Sequence, residues 1–273
     1  MSKWRPQDNG CLYVFPDIHG NVSLLEKALV RILPLRNTKN AVDKIIFLGD
    51  YVDRHVDSAA VIDLLVSLKE IYKDQIICIK GNHEDLFLKS LGIDCSDLIQ
   101  NLNCKTWKSN GGIKTISSYI KRAGLKDNPY NFKITQLKEI IPNSHIEFLN
   151  SCLDYYQEDE YVFVHGGYEP AYPMEQYLEK YSTFNLYWDG SDRNLFNYVK
   201  NILFLKGKLH WNHVVVCGHS GPIPIFHPNY RMIDAGAPRQ LLLYEAKSNQ
   251  AMVSVPKNKK LQTYVTDWTV LEP

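Results

Sequence analysis

Residues 44–54 read KIIFLGDYVDR. An unbroken apolar run is followed at once by two carboxylates, Asp50 and Asp53, and by a cation, Arg54. Consecutive β-branched and aromatic residues with no polar alternation describe a strand buried on both faces. Ion pairs at a strand exit are common and usually contribute little. These charges gain meaning only if other strands end in the same way.

Four of them do. CLYVF (11–15) runs into PDIHGN, QIICIK (75–80) into GNHE, YVFV (161–164) into HGG and VVVC (214–217) into GHS. Further strands are expected around RMID (231–234), QLLLYEA (240–246) and LQTYVTDW (261–268), the last after a solvated turn, VPKNKK (255–260). Helical patterns separate the early strands. SLLEKALVRIL (23–33) opens with Ser-x-x-Glu, the signature of a capping box, and puts Leu25, Ala28, Leu29 and Ile32 on one face. SAAVIDLLVSLKEIY (58–72) does the same with Val61, Leu65, Leu68 and Ile71, and EDLFLKSL (84–91) reads as a helix after the third strand. Strands alternating with helices give an α/β or α+β class. Residues 92–160 differ: they show no strong strand and several helical stretches, ISSYIKR, ITQLKEI and HIEFLNSCLDYY. They are read as a helical insertion within a single domain covering 1–273.

Composition narrows the function classes. The chain has 273 residues and a formal net charge of +1, so no global basic field favours a nucleic-acid polymer or an anionic membrane. No stretch approaches the roughly 18 apolar residues of a membrane span. The start, MSKWRPQDNG, lacks the apolar centre of a signal peptide. The cysteines at 11, 78, 95, 104, 152 and 217 make no CxxC pair, and a reducing cytoplasmic setting is expected.

In open α/β sheets, ligands bind beyond the carboxyl ends of the strands, so the exit residues are expected to converge. The cluster would contain Asp17, His19, Asp50, Asn82, His83, His165 and His219. Carboxylate, imidazole and amide oxygen suit Mn²⁺, Fe²⁺ or Zn²⁺, and no thiolate points to a structural zinc. Asp17 and His19, two apart, are expected on one side of an extended segment. So many groups exceed one open catalytic ion and suit two ions roughly 3.5–4 Å apart with a bridging carboxylate. Any one of these motifs alone would be better read as a core or surface group; five in order at strand ends form a constellation. His55, His145, His210, His213 and His227 match none of it and are read as structural or exposed.

PDIHGN, GDYVDR, GNHE, HGG and GHS resemble the signature blocks of the calcineurin-like metallophosphoesterases. GDYVDR with GNHE is similar to the phosphoprotein phosphatase branch. WKSNGGIKTISSYI (107–120), IPNSHIEFLNSC (141–152) and MIDAGAP (232–238) are similar to compact bacterial and phage serine/threonine phosphatases. The resemblance covers residues 10–246. It implies two mixed sheets packed face to face with helices outside, a four-layer αββα sandwich with the metals at one rim. It implies Asp17 and His19 on a first metal, Asp50 bridging, and Asn82, His165 and His219 on a second. His83 would be the general acid, Asp53 its orienting partner, and Arg54 a phosphate ligand. Arg193, alone among arginines between His165 and His219, would be a second one. The metals would be two divalent ions, Mn²⁺ first, with Fe or Zn as alternatives. Two departures stand out: Pro16 and His55 occupy places usually held by glycine, and His55 is expected to shift the loop of Arg54.

The resemblance implies a phosphomonoesterase acting on phosphoserine and phosphothreonine of a phosphoprotein or phosphopeptide. Two other classes compete. One is a diadenosine-polyphosphate or nucleotide hydrolase with the same chemistry; the other is a non-catalytic scaffold, which the full set of ligands disfavours.

Overall fold

The computed structural model describes residues 10–33, 42–167, 213–219, 224–227, 229–254 and 262–265. Each early apolar run is a short strand: β1 (Leu12–Phe15), β2 (Lys44–Phe47) and β3 (Ile76–Cys78). They lie parallel, with Val14 opposite Ile46 and Ile46 opposite Ile77. Helices α1 (Val22–Leu29) and α2 (Ser58–Tyr72) make the crossovers that parallel pairing requires. From the far end of the chain, β9 (Leu241–Glu245), β10 (Gln250–Ser254) and β11 (Gln262–Val265) extend the sheet antiparallel to the order β11-β10-β9-β1-β2-β3. A second mixed sheet has the order β4-β5-β6-β8-β7, built from β4 (Tyr155–Glu158), β5 (Tyr161–Val164), β6 (Val214–Cys217), β7 (Ile225–His227) and β8 (Tyr230–Met232).

The unbroken apolar strings have a direct cause. Alternate residues of one strand enter two different cores. Leu12, Val14, Ile46 and Leu48 pack against Phe163 and Val216 of the second sheet and Ile233 just beyond β8. Tyr13, Phe15, Ile45 and Phe47 pack against helices on the outer face. At about 1.5–3 kcal/mol per fully buried large apolar side chain, neither face tolerates a polar alternation. The fold is thus two mixed sheets flanked by helices. The layer expected outside the five-stranded sheet lies beyond the described residues, as does the turn VPKNKK. On the rim remote from the strand exits, Lys44 of β2 pairs with Glu158 and Tyr156 of β4 and ties one sheet to the other.

Several local expectations need correction. Ser23-x-x-Glu26 does not cap α1. Asn21 does: its Oδ1 accepts from Leu24 N–H at 3.3 Å, while its amide donates to Pro238 O at 2.7 Å. Ile71 is 68% exposed rather than buried, since α2 has turned it away from the sheet in its last turn. Residues 92–160 do contain a strand, β4, and the stretch read as helical through Tyr156 stops at Ser151. Asp159, at φ +52°, makes the tight turn that folds β4 back on β5. The remaining helices are α3 (Asn82–Ser90), α4 (Asp97–Trp107), α5 (Ile113–Arg122), α6 (Ile134–Ile140) and α7 (Asn143–Ser151). Helix α4 escaped the sequence pattern because it exposes Leu98, Ile99 and Leu102 and buries Trp107. Trp107, Tyr119, Leu137 and Leu149 share the core of α2 and β1–β3, so the stretch 107–149 packs as part of the helical face.

His145 is structural, as its mismatch to the motifs implied. It is buried between Tyr119 Oη and Asp63, both at 2.9 Å. Burial holds its pKa below the ordinary value against the pull of Asp63. An imidazole with a depressed folded pKa contributes stability above its unfolded pKa of about 6.5 and loses it as pH falls through the folded value. Urea unfolding at pH 7 and pH 5 is expected to show a smaller acid-induced loss for His145→Gln than for the wild type; equal losses would refute this source.

Candidate metal centre

The five strand exits meet at one rim. Asp17, His19, Asp50, Asn82, His83 and His165 are all buried, and His219 stands beside them. Asp50 is the hub. Its Oδ2 lies 3.5 Å from His19 Nε2 and 3.8 Å from His83 Nε2, and its Oδ1 lies 3.3 Å from His165 Nε2. Among the described residues, two groups could each hold an ion: His19, Asp50 and His83, and Asp50, His165 and His219. One carboxylate thus serves both, as a bridging ligand would. Asn82 Oδ1 joins the second group 2.9 Å from His165 Nε2. Asp17 Oδ2 stands 3.6 Å from His19 Nε2, while its Oδ1 accepts from the His219 backbone N–H at 2.8 Å.

The imidazoles are oriented by what lies behind them. His19 Nδ1–H donates to Val52 O at 2.9 Å and His165 Nδ1–H to Leu48 O at 2.8 Å. That leaves Nε2 of each facing the carboxylates, the usual arrangement behind a metal-binding histidine. Asp17 Oδ2, His19 Nε2 and Asp50 Oδ2 are buried without a hydrogen-bond partner. Buried orphans of this kind are costly, and three converging on one spot, two oxygens and a nitrogen, fit a divalent cation. His83 is different. Its Nδ1 is 2.6 Å from Asp53 Oδ2 and its Nε2 is 3.1 Å from the Arg54 guanidinium.

Charges follow the same geometry. Burial alone would raise the Asp50 pKa, but His165, His83 and His19 hold it well below the usual carboxylate range. Burial opposes charge on His165, yet Asp50 and Asp17 raise it to about 9. Its neighbour His219, 3.1 Å away, is driven down to about 4 by burial and by the His165 charge. On His83 the carboxylates of Asp50 and Asp53 outweigh burial and raise the pKa.

The loops reach this geometry through strain. His19, Asp50, Asp53, Arg54 and His219 all have positive φ, between +48° and +73°. For non-glycine residues this costs roughly 1–2 kcal/mol each and is found where a site over-determines it. Asp17 and His19 therefore do not meet by strand alternation: β1 ends at Phe15, and His19 turns back at φ +48°. Gly81 is needed for close approach, since a Cβ there would stand 2.3 Å from Asp50 Oδ1. It also caps α3, which begins at Asn82, two residues earlier than the apolar pattern suggests. Asn82 and His83 thus sit in the first helical turn, and His83 N–H donates to Asp50 Oδ1 at 3.1 Å. His55 Nδ1–H donates to Gly20 O at 2.9 Å, so the unusual His55 ties the Arg54 loop to the His19 loop. Arg193 lies outside the described residues.

Sequence reasoning missed Glu84. Fully buried, it accepts from the N–H groups of Asp50 (2.7 Å), Tyr51 (2.8 Å), Val52 (3.3 Å) and Gly81 (2.9 Å). Burial and the Asp50 charge push its carboxyl up to about 7. Its signal was present: glycine followed three residues later by glutamate is half a capping box. Glu84→Ala is expected to lower urea stability by at least about 3 kcal/mol through unsatisfied buried N–H groups, with Glu84→Gln less damaging. Saturating Mn²⁺ at about 100 times its dissociation constant is expected to stabilise the protein by about 2.7 kcal/mol per site. That would appear as a rise in Tm of several degrees, abolished by chelator and by Asp50→Ala.

Comparison with known proteins points one way. The model of the calcineurin-like phosphoesterase family matches residues 12–247. An uncharacterised protein of Caenorhabditis elegans is 40% identical over 78 residues, 25% of this chain; the match spans only 29% of that protein. Among solved structures, one provisionally named a diadenosine tetraphosphatase is 16% identical, covers 93% of this chain and 97% of its own, and gives a TM-score of 0.55. A protein serine/threonine phosphatase from Saccharomyces cerevisiae is 14% identical, with coverages of 94% and 81% and a TM-score of 0.53. At such identities these likenesses concern the fold. Over most of its length, and with the cluster of strand-exit carboxylates and imidazoles in place, the chain belongs to the calcineurin-like phosphoesterase family.

Proposed function

We propose that the chain is a metal-dependent phosphomonoesterase of the protein serine/threonine phosphatase type, working as one domain in a reducing cytoplasm. The observation that carries the reading is the His83–Asp53 pair. A proton donor, held at Nδ1 by a carboxylate and flanked by Arg54, stands beside the orphaned atoms of Asp17, His19 and Asp50 and 3.8 Å from the Asp50 carboxylate that the group with His165 and His219 shares. Asp17, His19 and Asp50 would hold one ion, and Asp50, Asn82, His165 and His219 a second, with Mn²⁺ the first candidate and Fe or Zn the others. When bound, two such ions supply an acidified water and offset negative charge on the phosphoryl oxygens.

The chain's own residues do the rest. Arg54 presents a planar fork to two phosphoryl oxygens. Arg193 is the candidate for a second such contact. A serine or threonine alkoxide is a poor leaving group, so protonation as the bond breaks matters. Asp53 Oδ2 accepts a hydrogen bond from His83 Nδ1–H, and the proton delivered to the leaving oxygen is the separate one on Nε2. The Asp53 carboxylate on Nδ1 favours the charged form of His83. The wording of the GDYVDR block and the fold likeness to a yeast serine/threonine phosphatase support a phosphoprotein substrate. The likeness to a provisionally named diadenosine tetraphosphatase keeps nucleotide hydrolysis as the second reading.

Phosphate release from a phosphothreonine peptide is expected with Mn²⁺ and not after chelation. His83→Asn is expected to lower kcat by about 10²–10⁴-fold. Hydrolysis of diadenosine tetraphosphate with no peptide turnover would replace the substrate assignment. Metal binding with turnover of neither would favour a scaffold.

A further inference from the structure

Among the described residues, the stretch 92–160 meets the proposed proton donor through Asp53. This carboxylate is fully buried. Its Oδ2 faces His83. Its Oδ1 receives the indole N–H of Trp107, the last residue of α4, at 3.0 Å, and the hydroxyl of Thr115, in the first turn of α5, at 2.5 Å. Thr115 Oγ1 in turn accepts from the Asp53 backbone N–H at 2.9 Å. Both members of the pair are anchored in the same core, since Trp107 stacks on Phe87, on the helix that carries His83, with ring centroids 4.9 Å apart. The five-residue turn between α4 and α5, Lys108–Gly112, lies flush on the Arg54 loop. Gly111 adopts φ +110°, and a Cβ there would stand 2.7 Å from Arg54 N. A Cβ on Gly112 would stand 2.6 Å from the Trp107 ring.

We infer that Trp107 and Thr115 are positioning residues for proton donation. By fixing one oxygen of Asp53 they hold the other on His83 Nδ1, and so keep His83 Nε2 directed at the leaving group. The inference rests on the proposed role of His83 as proton donor. A carboxylate can rotate about its terminal bond, and one that has lost the donors on Oδ1 no longer has a single preferred oxygen for the imidazole. The competing view is that a buried indole needs some acceptor and found this one. The two views differ in what they predict. Loss of a packing partner affects every substrate alike, whereas loss of donor alignment affects substrates in proportion to how much their leaving group needs a proton.

The test compares p-nitrophenyl phosphate, whose phenolate leaves readily, with phenyl phosphate, whose phenolate does not, using the Mn²⁺-loaded full chain. Trp107→Phe keeps a stacked ring and removes the N–H; Thr115→Val keeps the shape and removes the hydroxyl; Thr115→Ser restores it. For Trp107→Phe and Thr115→Val, kcat on phenyl phosphate is expected to fall by roughly tenfold or more, a fraction of the full general-acid effect. KM and kcat on p-nitrophenyl phosphate should change little, and Thr115→Ser should behave as the wild type. In a His83→Asn background neither change should cost anything further. Equal losses on both substrates, or full additivity with His83→Asn, would overturn the inference while leaving the phosphatase reading intact. A wild type that hydrolyses neither phosphate would overturn both. If Trp107→Phe does not fold, the Thr115 pair decides.

Discussion

A single buried carboxylate organises this molecule. Asp50 is removed from water, and an isolated carboxylate there would be prohibitively costly. His165 Nε2 at 3.3 Å and the first-turn N–H of His83 compensate its Oδ1, while its Oδ2, facing His19 and His83 at 3.5 and 3.8 Å, has no hydrogen bond and is left for a cation. Those groups come from segments after β1, β3 and β5. The demand of one charge for partners therefore dictates that three strand exits meet. The rest follows from that demand: the strained φ angles, the glycine at 81, and the start of α3 at Asn82.

Glu84 is the complementary constraint. It gathers the backbone of 50–52 and of Gly81 onto one side chain, so the loop after β2 and the helix after β3 are positioned as a unit. Because this is a backbone contact, it is indifferent to which side chains the loop carries. The same loop can hold Asp50, the hydrogen-bonded Tyr51 and Asp53 in very different directions: Asp50 toward the metal cluster, Tyr51 Oη to Ile79 O at 2.6 Å, and Asp53 toward His83. A rigid support behind a strained turn is how a protein keeps side chains within the tolerance that chemistry requires.

Most of the architecture could be read from the chain because the strands are buried on two sides. Runs such as LYVF and VVVC carry no other sensible interpretation, and the exit residues were visible as short motifs. What escaped had physical reasons. The β4, β7 and β10 segments are short or lie in hairpins, and YYQE is half-exposed, so its pattern is diluted. Helix α4 turns leucine and isoleucine to the surface, which erased its amphipathic signature. Asn21 capped α1 where Ser23 was expected, because a side chain two residues earlier also reaches Pro238 O. Around the site, the motif residues could be named, but Glu84, Trp107 and Thr115 act on backbone or on another side chain. Apart from the Gly81–Glu84 contact, their partners are 30 or more residues distant, and no local pattern reveals such pairings.

The contact between Asp17 and the backbone of His219 joins positions separated by 202 residues. An ion held by ligands from both sheets would act as a removable cross-link across nearly the whole chain. Closing so long a loop in the unfolded state is entropically expensive, and the cost grows only logarithmically with length. Most of it is therefore incurred once the first long-range ligand pair has formed, and further ligands join at little extra entropic cost. Folding of the two sheets against each other and assembly of the cluster thus become a single cooperative event.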